Sequence, residues 1–520
     1  MKYGELTSKE FNKLPDELNK EDLNEITIYP LLNYLTALSY TRGKIAFSVE
    51  TNINEVYDDL IDQVFDRKYS STKTHKTLQK ITKEEFLTLL EEIAISAWHR
   101  GSQRTTTTED IKKRCEDMRI GHLLEKFSEL EEARISNLLI AFYFQQHSKK
   151  DEFLFTHKSF CEYFIARRIV RQLDEMLPEK EEAALIKWII LCGKRPLNKN
   201  NFKFICNEIK SRSKRENEKH KIVMWQKKLC ELISYMLREG IPFECIPRVK
   251  YKEECEQSIN AETALLAVLS ACSTVTGKVS NIAWKNETVA GEWISKLFGQ
   301  INQPLEEIIF RSDVKPLVRQ CLHHISFKRQ CMLARDLITS DLNHSDLSIA
   351  SLRGAVLRGA DLCGAVLRGA NLCGADLAGA NLNGAYMDRA CLLETNLSRA
   401  IMIEAELPEA YLRKAVLCRA DLSRAVLRGV ILSRADLHRA ILCGADLSRA
   451  VLYEANLRKA DLNGAILYKT NLRVSNIRGI NLNKVDLRDS EIYGIKYDQS
   501  GDKLGVNGEI LKKYGRYMPN

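Results

Sequence analysis

The chain of 520 residues lacks apolar runs long enough to cross a membrane. Its longest runs, residues 185–192 and 264–272, are less than half of the roughly 20 residues that a bilayer span needs. The N-terminal residues carry no apolar stretch after their lysine, so a secretory signal is not expected. We therefore expect a cytoplasmic protein with no membrane partner.

The chain also lacks the common motifs of metal sites and active sites. Its 15 cysteines form no CxxC pair and no Cys–His spacing suited to zinc, which favours reduced thiols and no metal. No GxSxG or HExxH string occurs, and Cys321, His323 and His324 have no carboxylate nearby in the sequence. The nearest string to a P-loop, residues 272–279 (CSTVTGKV), lacks both the first glycine and the magnesium-binding hydroxyl. These absences predict a protein that is not an enzyme and holds no cofactor.

A period of five residues dominates the chain from about residue 331. Leu, Met or Ile recurs at every fifth position from Leu337 to Ile492, about 32 times without an insertion, and Ala precedes it by two positions in most repeats. Neither a helix nor an ordinary strand has this period, whereas a chain that turns in every pentad does. The Leu and the small residue should point inward, and neighbouring coils should exchange backbone hydrogen bonds at a spacing of ~4.8 Å.

The repeat A(D/N)LxX resembles that of the pentapeptide-repeat family over about 160 residues. The resemblance implies an all-β, right-handed quadrilateral β-helix with four pentads per coil, about eight coils and a length near 40 Å by the strand spacing. Positions one coil apart would then stack on one face. The last residues of four pentads give a column of cations, Arg399, Arg419, Arg439 and Lys459. This column is either a solvated face or a strip that binds a partner rich in carboxylates or phosphates.

The charge balance favours a protein partner over nucleic acid. The net charge of +9 permits an anionic partner without requiring one. Residues 335–495 hold about 21 Lys and Arg against about 18 Asp and Glu, so the rod does not imitate a polyanion such as DNA. Residues 203–228 are rich in Lys and Arg but nearly lack interleaved aromatic residues, which favours a solvated helical face over a nucleic-acid patch.

Helical periodicity dominates the part of the chain before the repeats. Residues 83–99 place apolar side chains at a spacing of 3.6 residues, which predicts an amphipathic helix. Thr107 begins a capping pattern for a second helix, and residues 137–146 and 152–156 flank a polar turn, as in a β-hairpin. Helix, helix, hairpin and a further helix from about residue 158 is the element order of a winged-helix domain.

The string 152–168, EFLFTHKSFCEYFIARR, resembles the end of the winged helix in NACHT-type signal-transduction NTPases of the STAND class, which includes the NOD-like receptors. Residues 30–35 (PLLNYL) resemble the proline-led helix of the arm domain in these proteins. The resemblance implies that His157 reaches the nucleotide phosphates of an ADP-bound resting state. Because the P-loop is missing and few residues precede Pro30, the chain resembles a NACHT protein without its nucleotide-binding core. It would be a truncated or split gene product, or a regulator of a P-loop NTPase in another chain.

We therefore expect a mostly α-helical N-terminal region that includes a winged helix, followed by an all-β quadrilateral β-helix. The β-helix would recognise a protein partner, and the helical region would couple this recognition to an NTPase. The alternatives are an orphan structural rod and a DNA-binding regulator, which the mixed charge of residues 109–118 disfavours. The expected domains are a helical arm-like segment, a winged helix, a helical linker, the β-helix and a C-terminal cap, at residues 1–76, 77–175, 176–330, 331–497 and 498–520.

Overall fold

A computed structural model of the chain divides into two compact units. The first comprises residues 1–228 and 242–264, and the second residues 229–241 and 265–520. The structure describes residues 52–66, 82–101, 105–128, 144–146, 152–155, 158–215, 218–247, 249–297, 317–318, 320–332, 337–481, 485–487, 489–498 and 507–517.

The first unit is mainly helical, as the sequence predicts. Its helices are α1 (Ile53–Asp66), α2 (Lys83–Arg100), α3 (Thr108–Asp117), α4 (Gly121–Ser128), α5 (Lys158–Met176), α6 (Glu181–Cys192) and α7 (Lys199–Ser213). Its strands are β1 (Thr105–Thr107), β2 (Phe144–Gln146) and β3 (Glu152–Phe155). Two further helices, α8 (Lys219–Glu239) and α9 (Tyr251–Thr276), begin in this unit and end in the second.

Hydroxyl caps start two of these helices. Glu85 donates its backbone N–H to the Thr82 hydroxyl at 3.2 Å, and Thr82 donates its own N–H to the Glu85 carboxylate at 2.8 Å, so α2 begins with a capping box. Asp110 donates its N–H to the Thr107 hydroxyl at 3.1 Å at the start of α3. The predicted helix over 83–99 and the predicted cap at Thr107 are both confirmed.

The three strands pair antiparallel in the order β1–β3–β2. Phe144 lies opposite Phe155 in the β2–β3 pair, and Thr105 lies opposite Leu154 in the β1–β3 pair. The β2–β3 pairing is the one expected of the predicted hairpin. In the sequence, α3 and α4 lie between β1 and the two strands of the hairpin. Strand β3 therefore pairs with a strand that precedes both helices.

A buried cluster of charges joins α2 to α5, which the apolar periodicity of α2 does not predict. Glu92 is 1% exposed, and its carboxylate accepts a hydrogen bond from Arg114 at 2.8 Å and others from Arg168 and Arg171. Burial alone would raise the pKa of Glu92, but the three arginines together hold this pKa below its ordinary value. The cluster therefore remains ionised inside the unit.

Helix α9 is the one helix among the described residues that is long and apolar enough to cross a membrane, with a mean hydropathy of 1.3 over its best window. However, 78% of that window is buried inside the protein. The Trp188 indole also donates a hydrogen bond to the Ala261 carbonyl in this helix at 3.0 Å. These contacts are typical of a core helix in a folded domain.

In the second unit the pentads wind into coils, each made of four pentads. Parallel β-bridges join positions 20 apart, from Ser326 and Asp346 at one end to Asn476 and Lys496 at the other. About eight coils stack between these residues. The structure thus has the stacked coils of the predicted solenoid.

The inside of the coils is filled by the two residue types that define the repeat. Leu422 and Ala425 are 1% and 0% exposed, and the same holds for the equivalent Leu and Ala residues of most pentads. A turn follows each Leu, closed here by a hydrogen bond of 3.1 Å from the Ala425 N–H to the Leu422 carbonyl. Arg424, within this turn, has a φ of 57°, the left-handed conformation that this position adopts in each of the described turns.

Backbone hydrogen bonds hold successive coils together. Leu422 donates its N–H to Ile441 in the next coil at 2.7 Å, and Asp421 donates its N–H to Ala400 in the previous coil at 2.9 Å. The Asp421 carboxylate also accepts the N–H of Ser423 at 3.0 Å, which stabilises the turn. This local bond explains why Asp or Asn so often precedes the central Leu.

Residues 280–287 and helix α10 (Val289–Leu297) precede the coils. Ser280 forms a parallel bridge with Ile325, and the Trp284 ring stacks on Phe327 with centroids 5.8 Å apart. The Trp284 indole donates to the Ser326 carbonyl at 2.8 Å. Segment 280–287 therefore covers backbone groups and apolar surface that the first coil would otherwise expose.

The other end of the coils is covered by the C-terminal residues. The buried Asn507 side chain accepts the N–H of Leu487 at 2.9 Å and donates to the Val485 carbonyl at 2.7 Å. After it come α11 (Gly508–Tyr514) and β5 (Arg516–Tyr517), and β5 pairs parallel with β4 (Lys496–Tyr497). These bonds replace the coil-to-coil pairing that ends here.

Candidate functional site

The coils present one outward turn residue per pentad, the second residue after the central Leu. Because one coil contains four pentads, turn residues one coil apart lie above one another and form four columns, one on each face. Backbone hydrogen bonds also join successive coils at these turns, as when Arg419 donates its N–H to the His438 carbonyl at 3.0 Å. The chemical character of each face is therefore set by side chains one coil apart.

Three of these columns contain ion pairs between successive coils. Each pair joins residues 20 positions apart, and the N···O distances lie between 2.6 and 3.3 Å. The pairs are Arg389 with Glu409, Glu394 with Lys414, Glu404 with Arg424, and Arg434 with Glu454. All are on the surface, so each contributes little to stability, but each pair neutralises the charge of the two turn residues that it joins.

The fourth column differs because it holds four cations in succession. Its members are all exposed, and are Arg399, Arg419, Arg439 and Lys459, which we call the basic column. Within the described coils, no carboxylate lies within 4.0 Å of any of these four side chains. The stacking predicted from the sequence is therefore present. Like charges repeat about every 4.8 Å along this face.

Glycines bound the basic column at both ends. Gly379 occupies the position one coil before Arg399, and Gly479 the position one coil after Lys459. At Gly479 an added Cβ would lie 2.9 Å from Cγ of Lys459, so the aliphatic stem of Lys459 covers this glycine. The cationic surface is thus limited to four coils.

Two columns flank the basic column. On one side lie half-buried residues, Ser398, Cys418, His438 and Arg458. On the other side Ile401 and Ile441 are 41% and 40% exposed, with Asp421 between them in the same ladder. Apolar surface on the outside of a charged rod is a feature that the sequence analysis did not single out.

A shallow groove on a different face is lined by Arg368, Asp388, Arg389, Pro408 and Glu409. Its charged groups bind one another, Arg368 with Asp388 at 2.8 Å and Arg389 with Glu409 at 2.9 Å. A ligand would have to displace these pairs, so this groove is a weaker candidate than the basic column.

The cysteine and histidine cluster predicted to have no catalytic role lies near the first coil, where Cys321 and His323 are buried and His324 is half-buried. His323 accepts or donates a hydrogen bond with the Ser270 hydroxyl at 2.7 Å, and its other ring nitrogen lies 2.9 Å from His324. The ring of His344, one coil later, lies 5.2 Å from that of His324. Burial, assisted by His324 and His344, lowers the pKa of His323 to about 4. Among the described residues no group of His, Cys, Asp or Glu side chains has the geometry of a metal site.

Part of the NACHT resemblance rests on residues outside the described part of the chain. His157, the implied phosphate contact, and residues 30–35 lie outside the described residues. The basic segment 203–228 lies on α7 and α8, where Arg212 pairs with Asp174 at 3.0 Å and with Glu208 at 3.2 Å. Lys214 pairs with Glu55 at 2.7 Å, so at least two of its cations are engaged within the unit.

Helix α3, which would enter a DNA groove in a winged-helix regulator, exposes charges of both signs. Lys112 and Lys113 are exposed, and so are Glu116 and Asp117 on the following turn. A helix that enters the major groove normally presents a basic outer face. The structure therefore gives α3 no such surface.

Comparison with known proteins concerns the coils alone. The pentapeptide-repeat family profile matches eight copies over residues 336–369, 365–402, 403–434, 431–468 and 450–489. This match does not include the region that resembles NACHT-type NTPases, and nothing found supports a fusion to such a protein. No curated protein matches the chain.

Several solved structures are similar to part of the chain. HetL, a pentapeptide repeat protein involved in heterocyst differentiation regulation from the cyanobacterium Nostoc sp. strain PCC 7120, is 32% identical, with 33% of this chain and 89% of HetL covered and a TM-score of 0.21. A pentapeptide repeat protein from the Arabidopsis thaliana thylakoid lumen is 30% identical, with 21% of this chain and 70% of that protein covered and a TM-score of 0.12. A trypsin-treated form of QnrB1, a plasmid-mediated fluoroquinolone resistance protein, is 19% identical, with 35% of this chain and 86% of QnrB1 covered and a TM-score of 0.29.

Proposed function

We propose, since the chain belongs to the pentapeptide-repeat family, that its β-helix is a non-catalytic platform which binds a protein partner through the basic column. One observation carries this proposal. Four stacked cations have no carboxylate partner among the described coils, whereas each of the other three turn columns holds at least one ion pair at the same spacing.

The physical argument is that an unpaired ladder of like charges favours an anionic partner. Neighbouring cations about 4.8 Å apart repel one another, although solvent and salt reduce the repulsion. Carboxylates or phosphates on a partner would remove this repulsion and form charge-assisted hydrogen bonds with several guanidinium groups at once. Such an arrangement gives both affinity and orientation along the rod.

We further propose that the first unit is the regulatory part of a NACHT-like signalling NTPase whose P-loop core belongs to another chain. The order α2–β1–α3–α4–β2–β3, with strands paired β1–β3–β2, supports a winged helix within this unit. In this proposal, partner binding to the rod shifts the conformational equilibrium of the helical region and so regulates the NTPase. The protein itself would act in the cytoplasm without enzymatic activity.

DNA binding through the winged helix is the alternative, and the mixed charge of the exposed face of α3 weighs against it. An orphan structural rod is the other alternative. It would need no partner. The capture experiment described next separates both alternatives from the main proposal.

The test is capture of partners from cell lysate by the full chain and by two charge-reversed variants. Arg419→Glu/Arg439→Glu should lose the captured partner, because it reverses the centre of the basic column. The matched control, Arg449→Glu/Lys469→Glu, makes the same change at two stacked turn positions on another face. Glu occupies this turn position natively at Glu404 and Glu409, so neither variant introduces a new backbone requirement.

Capture should also weaken as salt rises from low to physiological concentration. Circular dichroism should show equal folding of all three proteins. If wild type and Arg419→Glu/Arg439→Glu recover the same proteins, or if wild type recovers none, the basic column is only a solvated face.

A further inference from the structure

The basic column offers more than charge, because its spacing and its flanks limit what can bind along it. Arg399 and Lys459 are three coils apart, which by the strand spacing is about 14 Å. Ile401 and Ile441, in the neighbouring ladder, are two coils apart, or about 10 Å. A partner must therefore present anionic groups at intervals of about 5 Å beside apolar groups about 10 Å apart.

An α-helix that lies parallel to the rod has nearly this pattern. One helical turn rises 5.4 Å, so acidic residues at positions i, i+4, i+7 and i+11 span about 16 Å. This span exceeds the length of the basic column by only about 2 Å, which is small compared with the reach of an arginine side chain. Apolar residues seven positions apart lie about 10.5 Å apart on an adjoining face of the same helix, close to the separation of the two isoleucines.

We propose that the partner segment bound by the basic column is an amphipathic α-helix with an acidic stripe, aligned with the axis of the coils. This inference rests on the proposed binding function of the basic column and specifies its occupant. The acidic stripe contacts Arg399, Arg419, Arg439 and Lys459, and the apolar edge of the helix packs on Ile401 and Ile441.

Other anionic partners fit less well. Side chains on one face of an extended peptide repeat every ~6.8 Å, so a peptide aligned with the axis would be out of register by the third cation. A nucleic-acid backbone would place phosphates beside Ile401 and Ile441, which cannot hydrogen-bond, and near Asp421, which repels them. The isoleucine flank therefore favours a protein helix.

The experiment measures binding of fluorescent probes to the full chain by anisotropy. The first probe is a side-chain-stapled helical peptide with Glu at i, i+4, i+7 and i+11 and Leu at two adjoining positions seven apart. The second has the same composition and staple but distributes the Glu residues around the helix. The third is the first peptide with central prolines that prevent helix formation, and the fourth is a single-stranded DNA of similar charge.

We expect the first probe to bind about tenfold more tightly than the second or third, because only it presents its carboxylates in register. Arg419→Glu/Arg439→Glu should reduce this affinity by at least about tenfold, and Arg449→Glu/Lys469→Glu should leave it unchanged. Ile401→Ser/Ile441→Ser should weaken binding of the first probe without changing the salt dependence of that binding, since the variant removes apolar contact and no charge.

If the first three probes bind equally well to the wild type, and all three lose binding to Arg419→Glu/Arg439→Glu, the bound partner is not specifically a helix. The basic column would then still bind anions. Tighter binding of DNA than of the first probe would identify a nucleic acid as the occupant instead. No binding of any probe, together with no partner captured from lysate, would remove both the occupant and the proposed function. An equal loss in the two charge-reversed variants would show that only net charge matters.

Discussion

Substitution of Ala425 by Glu tests the inward register of the coils. Ala425 is fully buried, and its carbonyl accepts the N–H of Asp446 in the next coil at 3.0 Å. A carboxyl group there would have to become neutral. With an ordinary pKa of about 4.3, holding it protonated at pH 7 costs about 3.7 kcal/mol. The larger side chain in a close-packed core costs a further ~1–3 kcal/mol.

The expected loss is therefore about 6 kcal/mol at pH 7, and it should shrink to about 3 kcal/mol at pH 5, where protonation costs only about 1 kcal/mol. Native-state hydrogen exchange of peptides covering residues 400–450 gives the local opening free energy without unfolding the rest of the chain. The amides of Val426 and Asp446 should lose protection first, because their hydrogen bonds connect the coil of Ala425 to its neighbours.

Ser433→Glu is the control, since it adds the same charge at an outward position of the same region. It should change the opening free energy by less than about 0.5 kcal/mol. Arg428→Glu is a poorer control than the sequence alone suggests, because Arg428 forms an ion pair with Asp446. Equal losses from Ala425→Glu and Ser433→Glu, or a loss from Ala425→Glu that does not change with pH, would refute the assignment of inward and outward positions.

Three further predictions concern other parts of the chain. Calorimetry and a phosphate-release assay should detect neither binding nor hydrolysis of ATP by the purified protein, because the P-loop is missing; micromolar binding would contradict this. Arg168→Met should cost about 3–5 kcal/mol in denaturant unfolding, because it leaves Glu92 buried with less compensation, and Glu92→Gln in that background should recover part of the loss. His323→Gln should reduce the loss of folding stability on acidification between about pH 6.5 and 4. The pKa of His323 in the folded state, about 4, lies below its pKa in the unfolded state, so the unfolded state binds the proton first as the pH falls. An unchanged dependence of stability on pH in the variant would contradict this prediction.

The acid experiment must compare wild type with variant, because Asp341 acts in the opposite direction. Burial, with a smaller effect from Asp361, raises the pKa of Asp341 to about 6. The stability that Asp341 contributes to the folded state is therefore present at low pH and is lost as the pH rises through about 6. The difference between the two proteins isolates the histidine.

The coils could be predicted from the sequence because a strict period of five leaves few structural solutions. The inward positions of Leu422 and Ala425 and the stacking of Arg419 on Arg399 follow directly from that period and a coil of four pentads. His344 beside His324 follows from the same coil-to-coil spacing, although the sequence analysis did not extend the coils that far toward the N-terminus.

Other features could not be predicted from local patterns. Glu92 lies on the face of α2 that packs against α5, and its burial depends on Arg168, which is 76 residues away. An amphipathic period cannot indicate such a partner, because ion pairs between distant helices leave no periodic signal. Likewise, Arg399 and Arg424 look alike in the sequence, and only the residue one coil away distinguishes an unpaired cation from a paired one.

The coil length also determines which insertions the rod can accept. An insertion of a single pentad would keep every Leu and Ala inward, since each pentad is equivalent inside, but every later pentad would move to the next face. Placed between Arg419 and Arg439, it would divide the basic column between two faces. An insertion of four pentads would instead lengthen the rod and leave all columns aligned. Duplication of whole coils can therefore extend a binding surface, whereas duplication of single pentads changes which residues form one.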